Sequence, residues 1–159
     1  MSEDRPILIV GGGLGGLTTA LALAQRGRTV RVLEGAPQFG AIGYGIQFGP
    51  NVFHALDRLG IAGAVIDAAD SPPAVLMFDA LSGREVTRVP TGPSFRARFK
   101  YPYIIVHRID LHNVLLDACR HFLVDAYPLD IDFVLELPAE LRDLFNDWAA
   151  KAGFDPSAA

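Results

Sequence analysis

The chain of 159 residues holds a single cysteine, Cys119, so no disulfide can close within it. Cys119 reads as a small apolar packing residue on a helix rather than a reactive thiol. Positive charge is scarce as well. Lys and Arg number 14 against 18 Asp and Glu, the net charge is −4, and no basic run occurs. That pattern argues against a nucleic-acid partner. No apolar run approaches the roughly 20 residues of a membrane-spanning helix. Glu3 and Asp4 stand where a secretory signal would be positive, so the expected compartment is the cytoplasm. His107, His112 and His121 lie in or beside one helix without metal-ligand spacing, and are expected to serve packing or the surface. No metal is expected.

What remains is ordinary for a soluble globular chain: 50% apolar and 20% charged residues, in about one domain's length. Folding at this size buries roughly 70% of the unfolded chain's surface, enough for a core.

The informative part is the first 34 residues. Ile7-Leu8-Ile9-Val10 reads as a strand that runs into Gly11-Gly12-Gly13-Leu14-Gly15-Gly16. Gly11, Gly13 and Gly16 form the pattern G-x-G-x-x-G. The first glycine permits a tight turn off the strand, the second a close approach of backbone to a pyrophosphate, and the third a close packing of helix on strand. A helix opening near Leu14 would aim its free N–H groups and positive dipole end at phosphates. Its apolar positions Leu14, Leu17 and Leu21 recur with helical spacing, and Gly27 is placed to end it. Thr29 to Leu33 then reads as a second strand closing on Glu34. A carboxylate there accepts hydrogen bonds from the adenosine ribose and repels a 2′-phosphate, which favours FAD or NAD over NADP. A lone glycine motif is weak evidence. Strand, turn, helix, strand and acid in this order make a Rossmann-like βαβ unit, and with it an α/β fold.

Further along, Gly35 to Pro50 reads as a glycine-rich loop suited to lying against a ligand. Asn51 is the expected N-cap of a helix carrying Val52, Leu56 and Leu59 and stopped by Gly60. A short helix is expected over 62–68. Strands over 74–79 and 85–89 flank Leu81-Ser82-Gly83 as a hairpin insertion. Residues 90–100 read as irregular, 103–106 as a strand and 109–122 as a helix. The alternation from Ile131 to Leu137 suggests a strand, and Pro138 opens an amphipathic helix with Leu141, Leu144, Phe145 and Trp148. The domain reading is 1–122 for the nucleotide-binding portion and 123–159 for an atypical tail.

Three segments together carry a family resemblance: Ile9-Val10-Gly11-Gly12-Gly13-Leu14-Gly15-Gly16-Leu17 with Glu34, Gly43-Tyr44-Gly45-Ile46-Gln47-Phe48-Gly49-Pro50-Asn51, and His107-Arg108-Ile109-Asp110-Leu111. Over residues 6 to 120 the chain resembles the amino-terminal part of the FAD-dependent aromatic hydroxylases, single-component flavoprotein monooxygenases. Within the family, the chain resembles those members that hydroxylate 3-hydroxybenzoate.

The resemblance implies FAD as cofactor, NADH or NADPH as electron donor (NADH being the first expectation), and a small phenolic acid as substrate. Carried over residue by residue, the cofactor contacts are Gly11, Gly13, Leu14, Gly15, Gly16, Glu34, Gln47 and Arg108. In the family the segment matching Arg108 meets the ribityl–phosphate region, and the one matching Gly45-Ile46-Gln47 lies near the isoalloxazine. Ala36-Pro37 stands where many members carry an arginine. The family's second motif, an Asp-Gly pair, and its later Gly-Asp motif are not recognisable. The chain is therefore expected to be truncated relative to the family and incomplete as an enzyme, with no catalytic residue assignable, exposed apolar surface and a possible homodimer. The alternative readings are a non-catalytic nucleotide-binding or interaction module, and an NAD-dependent reductase.

Overall fold

The computed structural model describes residues 6–35, 44–125 and 129–133. Strand β1 (Ile7–Val10) leads through the glycine loop into α1 (Leu14–Ala24), and β2 (Val30–Glu34) returns alongside β1. The two strands pair in parallel, Ile7 opposite Val30 and Val10 opposite Leu33. Leu17, Ala20, Leu21 and Ala24 bury one face of α1, as the helical spacing requires. Gly27, with φ +70°, sits just past its end.

The next elements are β3 (Gly45–Phe48), α2 (Pro50–Arg58), α3 (Ala62–Asp67) and β4 (Ala69–Asp70). The hairpin β5 (Ala74–Phe78) and β6 (Glu85–Pro90) follows, then α4 (Pro93–Phe99), β7 (Ile104–His107), α5 (Arg108–Asp125) and β8 (Leu129–Phe133). Among the described residues the strands form three sheets, in the orders β1-β2-β8, β3-β7-β4 and β5-β6. The fold is α/β and Rossmann-like, with the hairpin as a separate two-stranded insertion.

Four local expectations change. Part of the glycine-rich loop is strand β3, held antiparallel to β7 with Gln47 opposite Ile105. The N-cap of α2 is Gly49 with Pro50 in the first turn, not Asn51; proline's fixed φ starts a helix at no hydrogen-bond cost. The stretch read as irregular contains α4, again opened by glycine and proline, Gly92 and Pro93. The tail's strand begins earlier than expected and pairs in parallel with β2, Val30 opposite Leu129. The boundary expected at residue 122 falls inside α5, and residues 129–133 belong to the nucleotide sheet. The amphipathic helix expected after Pro138 and the Ala36-Pro37 stretch lie outside the described residues.

One core joins the two larger sheets. Leu17, Leu21, Val30 and Val32 from the βαβ unit pack with Phe53, Val65, Ile104, Val106, Leu111, Leu115 and Cys119. Phe53 stacks on buried Tyr101 with ring centroids 5.2 Å apart, and the Tyr101 hydroxyl donates to the Asp57 carboxylate. The opposite face of β1 is open: Leu8 is 47% and Val10 54% exposed. The hairpin leaves Met77, Phe78 and Val86 exposed too. A parallel sheet such as β1-β2-β8 is ordinarily covered on both faces. No helix among the described residues is long and apolar enough to cross a membrane.

Candidate nucleotide-binding site

Each glycine of the loop has its own physical reason. Gly11 has φ +98°, a conformation that side chains rarely adopt. A Cβ on Gly16 would lie 1.9 Å from the Gly11 carbonyl oxygen, so no other residue fits there without moving backbone. Gly13 differs from both. Its φ of −72° suits any residue, and a Cβ there would meet no atom of the described residues within 4 Å. Neither strain nor packing against the described residues explains glycine at 13. Gly15 is equally open.

Gly13 is also the N-cap of α1 and has no side chain to cap it. The first N–H groups of α1, those of Leu14, Gly15 and Gly16, belong to the turn whose donors have no intrahelical acceptor. With the helix dipole they form an anion-receptive end. The residues present therefore fit a diphosphate.

Glu34 ends β2 beside this loop. Its Oε2 accepts the Gly12 N–H at 2.7 Å, which ties the acid to the turn directly. The Gly12 N–H bond thus places Glu34 beside the loop that holds Gly11, Gly13, Leu14, Gly15 and Gly16.

The other two expected contacts sit farther along the same framework. Arg108 is the first residue of α5, exposed, with its backbone N–H bonded to Tyr44 O at 3.2 Å. Gln47 lies on β3, exposed, and its Oε1 accepts from the Tyr103 hydroxyl at 2.6 Å. The β3–β7 pairing brings Gln47 and the start of α5 to one neighbouring sheet.

The link between the two groups is His112, which the sequence reading had assigned to packing or surface. Its Nε2 lies 2.8 Å from the Gly12 carbonyl oxygen. His112 is one helical turn after Arg108, so both occupy one face of α5, about 6 Å apart along the axis. That spacing was the available signal; its target, 100 residues away, was not visible in the sequence. Among the described residues, no cluster of His, Cys, Asp or Glu could hold a metal ion.

Cys119 is buried, with Sγ 3.5 Å from the Leu17 carbonyl, and burial pushes its thiol up to about 11. It packs α5 onto α1, as expected, and offers no nucleophile.

Residues 9–81 match the family described as NAD(P)-binding Rossmann-like domain. Among curated proteins, 3-hydroxybenzoate 6-hydroxylase of Polaromonas naphthalenivorans is 50% identical over 117 residues, 74% of this chain and 29% of that protein. The 3-hydroxybenzoate 6-hydroxylase of Klebsiella oxytoca is 46% identical over 94% of this chain and 39% of its own length, so its likeness runs past residue 122. Among solved structures, p-nitrophenol 4-monooxygenase PnpA of Pseudomonas putida superposes with a TM-score of 0.69 at 25% identity, covering 80% of this chain and 31% of the other. The chain is thus similar to the amino-terminal part of these hydroxylases, and it spans about a third of the length of the proteins it matches.

Proposed function

We propose that this chain is the FAD-binding portion of an NADH-dependent monooxygenase that hydroxylates a phenolic acid such as 3-hydroxybenzoate. The observation that carries the reading is the open cradle at Gly13 and Gly15, closed by Glu34 on one side. The 50% identity to a 3-hydroxybenzoate 6-hydroxylase supports the substrate class.

In this reading Leu14, Gly15 and Gly16 receive the cofactor's diphosphate on the N-terminal turn of α1. Glu34 receives the adenosine ribose and turns away a 2′-phosphate by charge repulsion. Arg108 supplies the positive charge nearest the start of α5, and Gln47 an amide toward the far end of the cofactor. When bound, FAD supplies the redox and oxygen chemistry, while the protein orients it and limits water. No described side chain is assigned to proton transfer with substrate. A soluble cytoplasmic chain that pairs as a homodimer through its open apolar faces completes the proposal.

The visible spectrum of the purified protein tests it. Yellow protein that releases FAD, or colourless protein that FAD reconstitutes, is the expected result. Protein that cannot take up FAD overturns the reading and leaves a binding module without a flavin. NADH oxidation stimulated by 3-hydroxybenzoate, with ring hydroxylation, separates an active enzyme from a cofactor binder. NADH turnover with no flavin present would favour a reductase.

A further inference from the structure

We propose that His112 is a positioning residue for the glycine loop: by donating from Nε2 to the Gly12 carbonyl, it sets the Gly12–Gly13 peptide in the direction that receives a diphosphate. The inference rests on the cofactor reading above and names a residue that reading does not need.

A carbonyl oxygen only accepts hydrogen bonds, so at 2.8 Å the proton must sit on Nε2 of His112. The acceptor thereby selects the ring's tautomer. The peptide unit is planar and trans, so its C=O and N–H point in opposite directions. With the Gly12 C=O drawn toward α5, the Gly13 N–H is turned away from α5. The preceding peptide is held separately, because the Gly12 N–H is bonded to Glu34 at 2.7 Å. Two consecutive peptide units are therefore fixed from two sides, one by β2 and one by α5.

The loop needs such holding. Gly11, Gly12 and Gly13 carry no side chain, and glycine loses the most backbone freedom on ordering. Gly12 is itself buried and His112 half-buried, which keeps water from competing for the bond. The anchor is firm: Leu111, Leu115 and Cys119 of α5 are 4%, 3% and 1% exposed in the shared core. A loop set before binding spares the ligand the cost of ordering it.

The test uses calorimetric binding of ADP and of adenosine to the wild-type chain, His112→Phe and His112→Gln. Phenylalanine keeps a ring without a donor, while glutamine offers an N–H donor at comparable reach. ADP affinity should fall about tenfold in H112F and return to within about threefold in H112Q, the scale of one hydrogen bond. Adenosine, which lacks the diphosphate, should bind all three alike. A folded H112F that binds ADP as the wild type does overturns the role of His112 alone. A wild-type chain that binds neither ADP nor FAD overturns the cofactor reading, and this consequence falls with it. Should H112F fail to fold, nitrogen-15 spectra of the wild-type imidazole decide. A protonated Nε2 supports the proposal, and an unprotonated Nε2 overturns it.

Discussion

Glu34 Oε2 and the Gly12 N–H are 2.7 Å apart, so the acid that ends β2 is part of the glycine turn as well as its neighbour. A substitution at Glu34 therefore acts on the turn and on ligand choice together. Glu34→Ala should lower stability by about 1–2 kcal/mol, since it leaves the N–H of buried Gly12 without its acceptor. Glu34→Gln keeps an acceptor oxygen and should lose less, while removing the charge that repels a 2′-phosphate. Urea denaturation checks the first expectation. The ratio of ADP to 2′,5′-ADP affinity, which should narrow in E34Q, checks the second.

Gly13 and Gly16 should separate binding from folding. Alanine at 16 puts a methyl 1.9 Å from a backbone oxygen, so Gly16→Ala should cost more than the roughly 1–3 kcal/mol of ordinary overpacking. Alanine at 13 meets nothing within 4 Å, so Gly13→Ala should keep its melting stability within about 1 kcal/mol of wild type. Its methyl would nonetheless stand where the diphosphate approaches, and FAD or ADP affinity should fall at least tenfold. Thermal melts paired with titration calorimetry measure both. A G13A chain that binds normally would remove the argument that this space is for a ligand.

Cys119 predicts a pH dependence at the alkaline end. Its thiol is raised from 9.0 to about 11 by burial, so the folded state holds the proton that the unfolded state gives up first. Stability from this group is fully present below about pH 9 and is lost as pH rises through about 11. The limiting slope is about 1.4 kcal/mol per pH unit. Denaturation at pH 8 and pH 10.5 should show a smaller loss for Cys119→Ala than for wild type. Thiol reagents should label the native chain slowly and the unfolded chain fast.

Tyr101 is 7% exposed and stacked on Phe53, with its hydroxyl donating to Asp57. Tyr101→Phe keeps the ring packing and removes a bond to a charged acceptor. Asp57 is exposed, so water competes for the bond, and a loss of about 0.5–1.5 kcal/mol is expected in chemical denaturation at pH 7. Phe53→Ala should lose more, about 3–5 kcal/mol, because it empties a fully buried site.

Local chemistry made much of this fold legible before any coordinates. The α1 stripe of Leu17 and Leu21, the helix stops and the hairpin around Ser82 depend on residues a few positions apart, and each stands where expected. The glycine roles were legible for the same reason: φ at Gly11 and space at Gly16 are properties of one turn. Elements defined by distant partners were not. β3 is four residues long and becomes a strand by pairing with β7, which its own sequence does not announce. α4 buries none of its residues, so no apolar stripe marked it. His112 looked like any histidine on a helix, because its meaning lies in Gly12, 100 residues away.

The parallel pairing of β2 with β8 has a kinetic consequence. Val30 finds Leu129 only after the two other sheets and α5 have been threaded between them. A contact that spans most of the chain closes a long loop before it gains any reward, and topologies of that kind fold slowly. During synthesis, β2 emerges well before β8, so the middle strand of their sheet must wait for residues 129–133 to leave the ribosome before its second edge is covered. Until then β2 is an unpaired edge, open to mispairing with other chains. Yield of folded protein should depend on how quickly residues 129–133 arrive, and the early half of the chain is where a chaperone would be needed.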